Sequence, residues 1–193
     1  MRLFTAVTLG DALTAETGRG IERLRALAPD AKWVRSEGVH LTLLFLGDVD
    51  EGRLPELRDA LEPVGLYHAP FVLSVAGGGT FGSPSHPRVL WADVRGDTAA
   101  LKALQADVAR ALEPLGFTSE HAEYTAHLTL ARARPPRGDP ALAACARELQ
   151  GAAWGEGRVD RLVLFESTRG HYVPRLEVPL VVSGEGGESG ARE

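Results

Sequence analysis

The 193-residue chain reads as an α+β protein with two lobes related by a pseudo-two-fold axis, each an antiparallel sheet with outer helices, and a functional cleft between the lobes. Three observations predict this. The tetrapeptide His-Leu-Thr-Leu occurs twice, at His40–Leu43 and His127–Leu130, a separation of 87 residues (127 − 40). Flanking segments match at the same offset, as Leu3-Phe4-Thr5-Ala6-Val7 does with Leu90-Trp91-Ala92-Asp93-Val94, which points to an internal duplication. Apolar patterning then gives each half the order β-α-β-α-β.

The elements follow along the chain. Leu3–Val7 is a strand; its match to an internal segment and the interrupting Gly10-Asp11 argue against reading the start as a signal peptide. Thr14 to Ala28 is predicted helical, with Ile21, Leu24 and Leu27 on one face. In the next strand, strict alternation sends His40 and Thr42 to one face and Leu41, Leu43 and Phe45 to the other. A helix containing Pro55–Leu61 precedes a strand at Phe71–Val75, and the Gly/Pro-rich run Gly77–Pro87 is expected to connect the lobes and to line the site. In the second half Leu90–Val94 is a strand and Asp97 caps a helix carrying Leu101, Leu104, Val108 and Leu112, which stops near Pro114-Leu115-Gly116. The strand of His127 and Thr129 comes next, then a helix announced by Asp139 before Pro140, and a final strand within Arg158–Leu164. Residues 1–182 are thus expected to form one bilobal domain, with a disordered Gly/Glu-rich tail at 183–193.

Composition narrows the function. A hydrophobic content of 44% with 24% charged residues is enough for a sizeable core. A net charge of −5 argues against binding nucleic acid along its length, which needs a broad basic surface, but leaves a nucleic-acid terminus open as substrate. Lysine occurs only at Lys32 and Lys102; the arginine bias suits phosphate oxygens, and equally reflects a GC-rich genome. The single Cys145, in an Ala-rich helical setting, cannot form an internal disulfide and fits a reducing cytoplasm. No stretch is long enough to span a membrane.

Residue chemistry then gives the dyads a role. Imidazole titrates near neutrality, so one histidine accepts a proton from water while a second, protonated, donates one to a departing oxygen. If the lobes face each other, the dyads flank one point from opposite sides, as an in-line displacement at phosphorus requires. Hydroxyls of Thr42 and Thr129 would hold the non-bridging oxygens, and losing such a donor costs on the order of 10²-fold in rate. One histidine on a strand is more often structural than catalytic; two matched copies, each keeping a costly polar pair among apolar neighbours, favour a shared site.

These paired His-x-Thr-x motifs resemble the signature of the RNA 2′,3′-cyclic phosphodiesterases (2′-5′ RNA ligase family) of the two-histidine phosphoesterase superfamily. The resemblance runs from Leu3 to about Leu180 and includes Trp33, Leu43-Leu44-Phe45-Leu46-Gly47, Pro87-Arg88-Val89-Leu90-Trp91, Ala131-Arg132 and Leu164-Phe165-Glu166-Ser167. It implies hydrolysis of terminal RNA 2′,3′-cyclic phosphates to 2′-phosphomonoesters without metal or cofactor, with His40 as proton donor and His127 as proton acceptor. Thr42 and Thr129 would hold the phosphate, and reversal with an RNA 5′-hydroxyl would make a 2′-5′ linkage. Motif symmetry alone does not distinguish acid from base. A two-lobed monomer already completes such a site.

Arg132 and Phe81 are further candidates for substrate binding. Strict alternation places Arg132 opposite His127, so it reaches the phosphate only if the strand twists or ends there. Phe81, Trp33 and Trp91 could stack on a base, although core packing is the favoured role for each. Where the family often has a longer glycine-containing hairpin, this chain has Ser167-Thr168-Arg169-Gly170-His171-Tyr172, which puts a substrate contact there in doubt. Competing motifs fail on context. Prolines follow the Gly77-x-Gly79-x-x-Gly82 spacing where a dinucleotide-binding helix would begin, and His121-x-Glu123 lacks the Cys-x-x-Cys of a zinc deaminase. His68, His86 and His171 read as surface residues without metal-ligand spacing, and no metal site is expected. Two alternatives stay open: a phosphodiesterase for small cyclic phosphates such as nucleoside 2′,3′-cyclic phosphate or ADP-ribose cyclic phosphate, and a non-catalytic RNA-end binding module.

Overall fold

A computed structural model describes residues 1–121 and 123–181, so the tail expected from residue 183 lies outside the described residues. The elements are β1 (Arg2–Val7), α1 (Asp11–Arg25), β2 (Lys32–Trp33), β3 (Leu41–Asp48), α2 (Leu54–Gly65), β4 (Phe71–Gly82), β5 (Pro87–Gly96), α3 (Thr98–Leu112), β6 (His127–Arg132), α4 (Ala141–Leu149), β7 (Ala153–Val159), β8 (Arg161–Thr168) and β9 (His171–Pro179). They build two antiparallel sheets, ordered β3-β1-β8-β9 and β2-β6-β5-β4-β7. The α+β class and the β-α-β-α-β order of each half are as the sequence predicts.

The sheets do not coincide with the halves of the chain. β1 and β3 form one sheet, yet β4 from the same half pairs with β5 and β7 in the other. The segment read as one strand over Arg158–Leu164 is two: β7 ends at Val159, and β8 starts at Arg161 in the opposite sheet. Helices cross as well. α1 follows β1 but packs on β7, and α3 follows β5 but packs on β3 and α2. Each lobe therefore holds elements of both halves, and neither half has a closed core of its own.

Local chemistry explains the boundaries. Asp97 caps α3 by accepting from the Ala100 amide at 3.1 Å, and Asp139 accepts from the Ala141 amide at 2.9 Å, as expected of both residues. α1 begins three residues before the predicted Thr14, because Gly10 turns the chain at φ 76° and Thr14 bonds back to the Gly10 carbonyl at 2.7 Å instead of capping. Its buried face is Leu13, Thr17, Gly20, Ile21 and Leu24; Leu27 lies beyond the helix and is exposed. At Gly20 the Trp154 ring lies so close that a Cβ would stand 2.3 Å from its Cζ2. The Gly-rich run expected to be a loop is mostly strand: β4 continues to Gly82, with a bulge at Ala76–Gly77, and Gly79 lies under the Trp91 ring. Cys145 is buried in α4, and burial pushes its thiol up to about 11.

Candidate active site

His40 immediately precedes β3 and His127 opens β6. Both rings are held the same way. His40 Nδ1 lies 2.6 Å from the Gly38 carbonyl, and His127 Nδ1 lies 3.0 Å from the Thr125 carbonyl, in each case two residues back. A carbonyl only accepts, so each Nδ1 carries the hydrogen and each Nε2 is the atom whose proton comes and goes. His40 Nε2 is 3.1 Å from Thr42 Oγ1, the contact that the His-x-Thr spacing creates on one face of a strand. Thr129 lies two residues after His127 on the same face of β6, half-buried.

Burial lowers the pKa of both rings. For His40, desolvation outweighs the raising effect of the Gly38 bond; for His127 it outweighs the Thr125 bond and is reinforced by the positive charge of Arg132. The two motifs are also tied together. Tyr124, three residues before His127, donates from its hydroxyl to the Thr42 carbonyl at 2.9 Å, fastening the approach to β6 onto β3. Burial pushes that phenol well above its ordinary pKa, so it stays a donor.

Arg132 reaches the His127 side because strict alternation fails. Opposite Leu90 and Trp91, β6 spends one extra residue, so Leu130 and Ala131 are both buried and Arg132 emerges, exposed, on the face of His127 and Thr129. The first lobe repeats the device. β3 carries an extra residue opposite Thr5 and Ala6, Leu43 and Leu44 are both buried, and Phe45 emerges on the face of His40. This corrects the expectation that Phe45 points away with Leu41 and Leu43. Phe45 is 67% exposed and rests against Phe4 at 5.9 Å between centroids.

Aromatic rings brace each histidine. Phe81 meets the His127 ring edge-on at 5.1 Å and 90°, with Trp91 behind both. Tyr172 meets His40 edge-on at 4.9 Å and 84°, and Phe4 lies 4.9 Å from His40 and 5.3 Å from Tyr172, so the three rings form one cluster. Phe81 thus sits beside the predicted site, and Trp91 packs beneath it. Trp33 is placed elsewhere, bonding the Ala28 carbonyl through Nε1 at 2.8 Å. Sequence reasoning missed Tyr172 and Tyr124. Tyr172 belongs to the β8–β9 hairpin whose short turn had put any contact there in doubt. His86 and His171 are exposed, but His68 is not a surface residue: its Nε2 lies 2.7 Å from Asp107 Oδ2, with the side chain mostly buried against α3. Among the described residues no three His, Cys, Asp or Glu side chains are gathered as a metal ion would require.

Comparison with known proteins gives this site a context. The family model for the 2′-5′ RNA ligase superfamily matches residues 11–171. An RNA 2′,3′-cyclic phosphodiesterase of Methanothermobacter thermautotrophicus is 32% identical over 167 residues, covering 86% of this chain and 90% of that protein. One from Geobacillus stearothermophilus is 40% identical over 124 residues, covering 62% of this chain but only 39% of that longer protein. Among solved structures, the Thermus thermophilus protein TT0787 superposes with a TM-score of 0.76 at 26% identity, covering 93% of this chain and 98% of that one. Escherichia coli LigT in complex with 3′-AMP superposes with a TM-score of 0.70 at 25% identity, covering 94% and 98%. With the family model spanning most of its length, and a 32% identical relative aligned along nine tenths of that relative's own chain, this protein belongs to the 2′-5′ RNA ligase superfamily.

Proposed function

We propose that the protein opens terminal RNA 2′,3′-cyclic phosphates to 2′-phosphomonoesters by general acid–base catalysis between two histidines, without a metal ion. The observation that carries this reading is the matched fixing of both rings: each Nδ1 is committed to a backbone carbonyl, which leaves two Nε2 atoms as the acid and the base. His127 Nε2 takes a proton from water as its oxygen bonds to phosphorus. The P–O3′ bond breaks, and His40 Nε2 gives its proton to the departing O3′. Thr42 and Thr129 hold the non-bridging oxygens, with Thr42 turning from His40 to the phosphate when substrate binds. Arg132 adds charge beside the phosphate, and Phe81 walls the His127 side. Run in reverse with an RNA 5′-hydroxyl in place of water, the same groups make a 2′-5′ linkage. Both histidines come from one chain, so a monomer suffices, and a lone buried thiol suits the cytoplasm. The relatives named as RNA 2′,3′-cyclic phosphodiesterases, and LigT crystallised with 3′-AMP, support the substrate class.

The test is incubation of a short RNA ending in a 2′,3′-cyclic phosphate, in EDTA, with phosphorus NMR of the product. A 2′-phosphate is expected. A 3′-phosphate would overturn the regiochemistry, and absence of turnover would favour a small cyclic phosphate substrate or a binding module.

The pH dependence has a definite sign. The active form holds one proton between the two Nε2 atoms, so the profile of kcat/KM is a bell centred on the mean of the two free-enzyme pKa values. Both are lowered from 6.5, so the optimum of kcat/KM is expected below pH 6.5. Bound phosphate, being anionic, raises both values, and the kcat bell is expected at higher pH than the kcat/KM bell. An optimum of kcat/KM above pH 7.5 would contradict the burial argument.

A further inference from the structure

The carbonyl that orients His40 belongs to no strand. Gly38 closes a single 3₁₀ turn, Ser36–Gly38, on the way from β2 to β3. The turn holds itself together: the Gly38 amide donates to the Arg35 carbonyl at 2.9 Å, and the Val39 amide donates to the Ser36 carbonyl at 3.3 Å. It leans on α1, which is anchored on β7 through its buried face and through Gly20 against Trp154. At the contact, a Cβ added to Gly18 would stand 2.8 Å from Ser36 Cβ, about 1 Å inside the ordinary separation of carbon atoms, so glycine is what permits the approach. At the end of the turn, a Cβ on Gly38 would stand 3.2 Å from Tyr172 Cε2, and the same ring meets His40 edge-on. The turn thus touches a helix that packs on one sheet and the hairpin of the other. Beside the Gly18–Ser36 contact a cleft of about 620 Å³, lined by Arg19, Arg35, Ser36 and Glu37 among others, gives the turn room to move.

We propose that Gly18 and Ser36 are positioning residues for His40: their contact sets how closely the turn rests on α1, and through it the distance from the Gly38 carbonyl to His40 Nδ1. The kinetic consequence rests on the phosphodiesterase reading above, whereas the geometry is read on the ring itself. Side chains larger than hydrogen at position 18 push against Ser36. The helix is fixed by its buried face, so the turn yields toward the cleft, and the Gly38 carbonyl moves with it because the two turn bonds make Arg35–Val39 one unit. The 2.6 Å bond to Nδ1 then lengthens. That bond keeps the hydrogen on Nδ1, so its loss lets the hydrogen move to Nε2 in the neutral ring and frees the ring to turn. It also favours the charged form of His40, so its loss lowers the pKa further.

The test compares wild type, Gly18→Ala and the double variant Gly18→Ala/Ser36→Gly, in which removing the Ser36 Cβ makes room for the added methyl. Alanine is the better helix former at an interior position, and the contact lies outside the core, so the variants should fold. The first readout is nitrogen-15 NMR of the histidine side chains with pH titration, which needs no substrate. In wild type the neutral His40 ring should carry its hydrogen on Nδ1. In Gly18→Ala the hydrogen should distribute between both nitrogens and the His40 pKa should fall, while His127, held by the Thr125 carbonyl, keeps its wild-type signals and reports an intact fold. The double variant should restore His40. The second readout is the opening of an RNA 2′,3′-cyclic phosphate. Gly18→Ala should lower kcat by about 10-fold with KM unchanged, within what a misplacement of about 1 Å costs, and the alkaline limb of kcat/KM should move to lower pH while the acidic limb stays. The double variant should recover both. An unchanged His40 in Gly18→Ala, or a changed His40 that the double variant does not restore, would overturn the proposal. A wild-type protein that fails to open the cyclic phosphate would sink the phosphodiesterase reading, and the NMR comparison would still decide whether the contact positions His40.

Discussion

His127→Ala is expected to lower the rate of cyclic-phosphate opening by about 10³-fold, within the range a positioned general base contributes, while RNA ending in a 2′-phosphate still binds within a few-fold of wild type. The separation follows from placement. His127 Nε2 points out of a ring held by the Thr125 carbonyl and Phe81, so removing the ring takes away the water's proton acceptor. The groups proposed to hold the end are other side chains that the change leaves in place: Thr42 beside His40, and Thr129 and Arg132 further along β6. The strand itself survives the change, since its inward residues Leu128 and Leu130 supply its packing. Single-turnover kinetics with titration of the 2′-phosphate product separates the two quantities. Product formation at the wild-type rate would refute the role given to His127, and a loss of binding equal to the loss of rate would turn the site into a recognition pocket.

Much of this site is legible in the sequence, because a repeated motif constrains more than a single one. Two copies of His-x-Thr, each followed by an apolar run, locate both histidines and both threonines on strands, and the β-α-β-α-β order follows from periodicity and from caps such as Asp97 and Asp139. What escapes is what alternation cannot encode. An extra residue in a strand reverses every side chain after it, so the bulges after Thr42 and Thr129 bring Phe45 and Arg132 to the faces that a strict period of two denies them. The exchange of α1, α3 and β4 between lobes escapes for another reason. Each segment has the same apolar face whichever sheet it covers, and the pairing partner is a long-range choice. Tyr124 and Tyr172 look like any loop and hairpin tyrosines until the fold sets one on the Thr42 carbonyl and the other against His40.

His40→Ala is expected to cost as much as His127→Ala on the natural ester, and to differ from it when the leaving group changes. An alkoxide at O3′ departs poorly without a proton, whereas a thiolate, whose conjugate acid has a pKa near 8.5 in cysteine, departs without one. On an RNA ending in a 2′,3′-cyclic phosphate with sulfur replacing O3′, His40→Ala should recover most of its lost rate, to within about 10-fold of wild type, because the step it assists no longer needs assistance. His127→Ala should stay about 10³-fold slow on the same substrate, since the water still has to lose its proton. The pH profile gives an independent mark: removing His40 should abolish the fall of kcat/KM on the alkaline side, where the acid loses its proton, and preserve the acidic limb set by His127. Rescue of His127→Ala in place of His40→Ala would exchange the two roles while leaving the two-histidine mechanism standing. Rescue of neither would mean that both rings position the phosphate, and that neither the proton on His40 Nε2 nor its hydrogen bond to Thr42 takes part in the bond breaking.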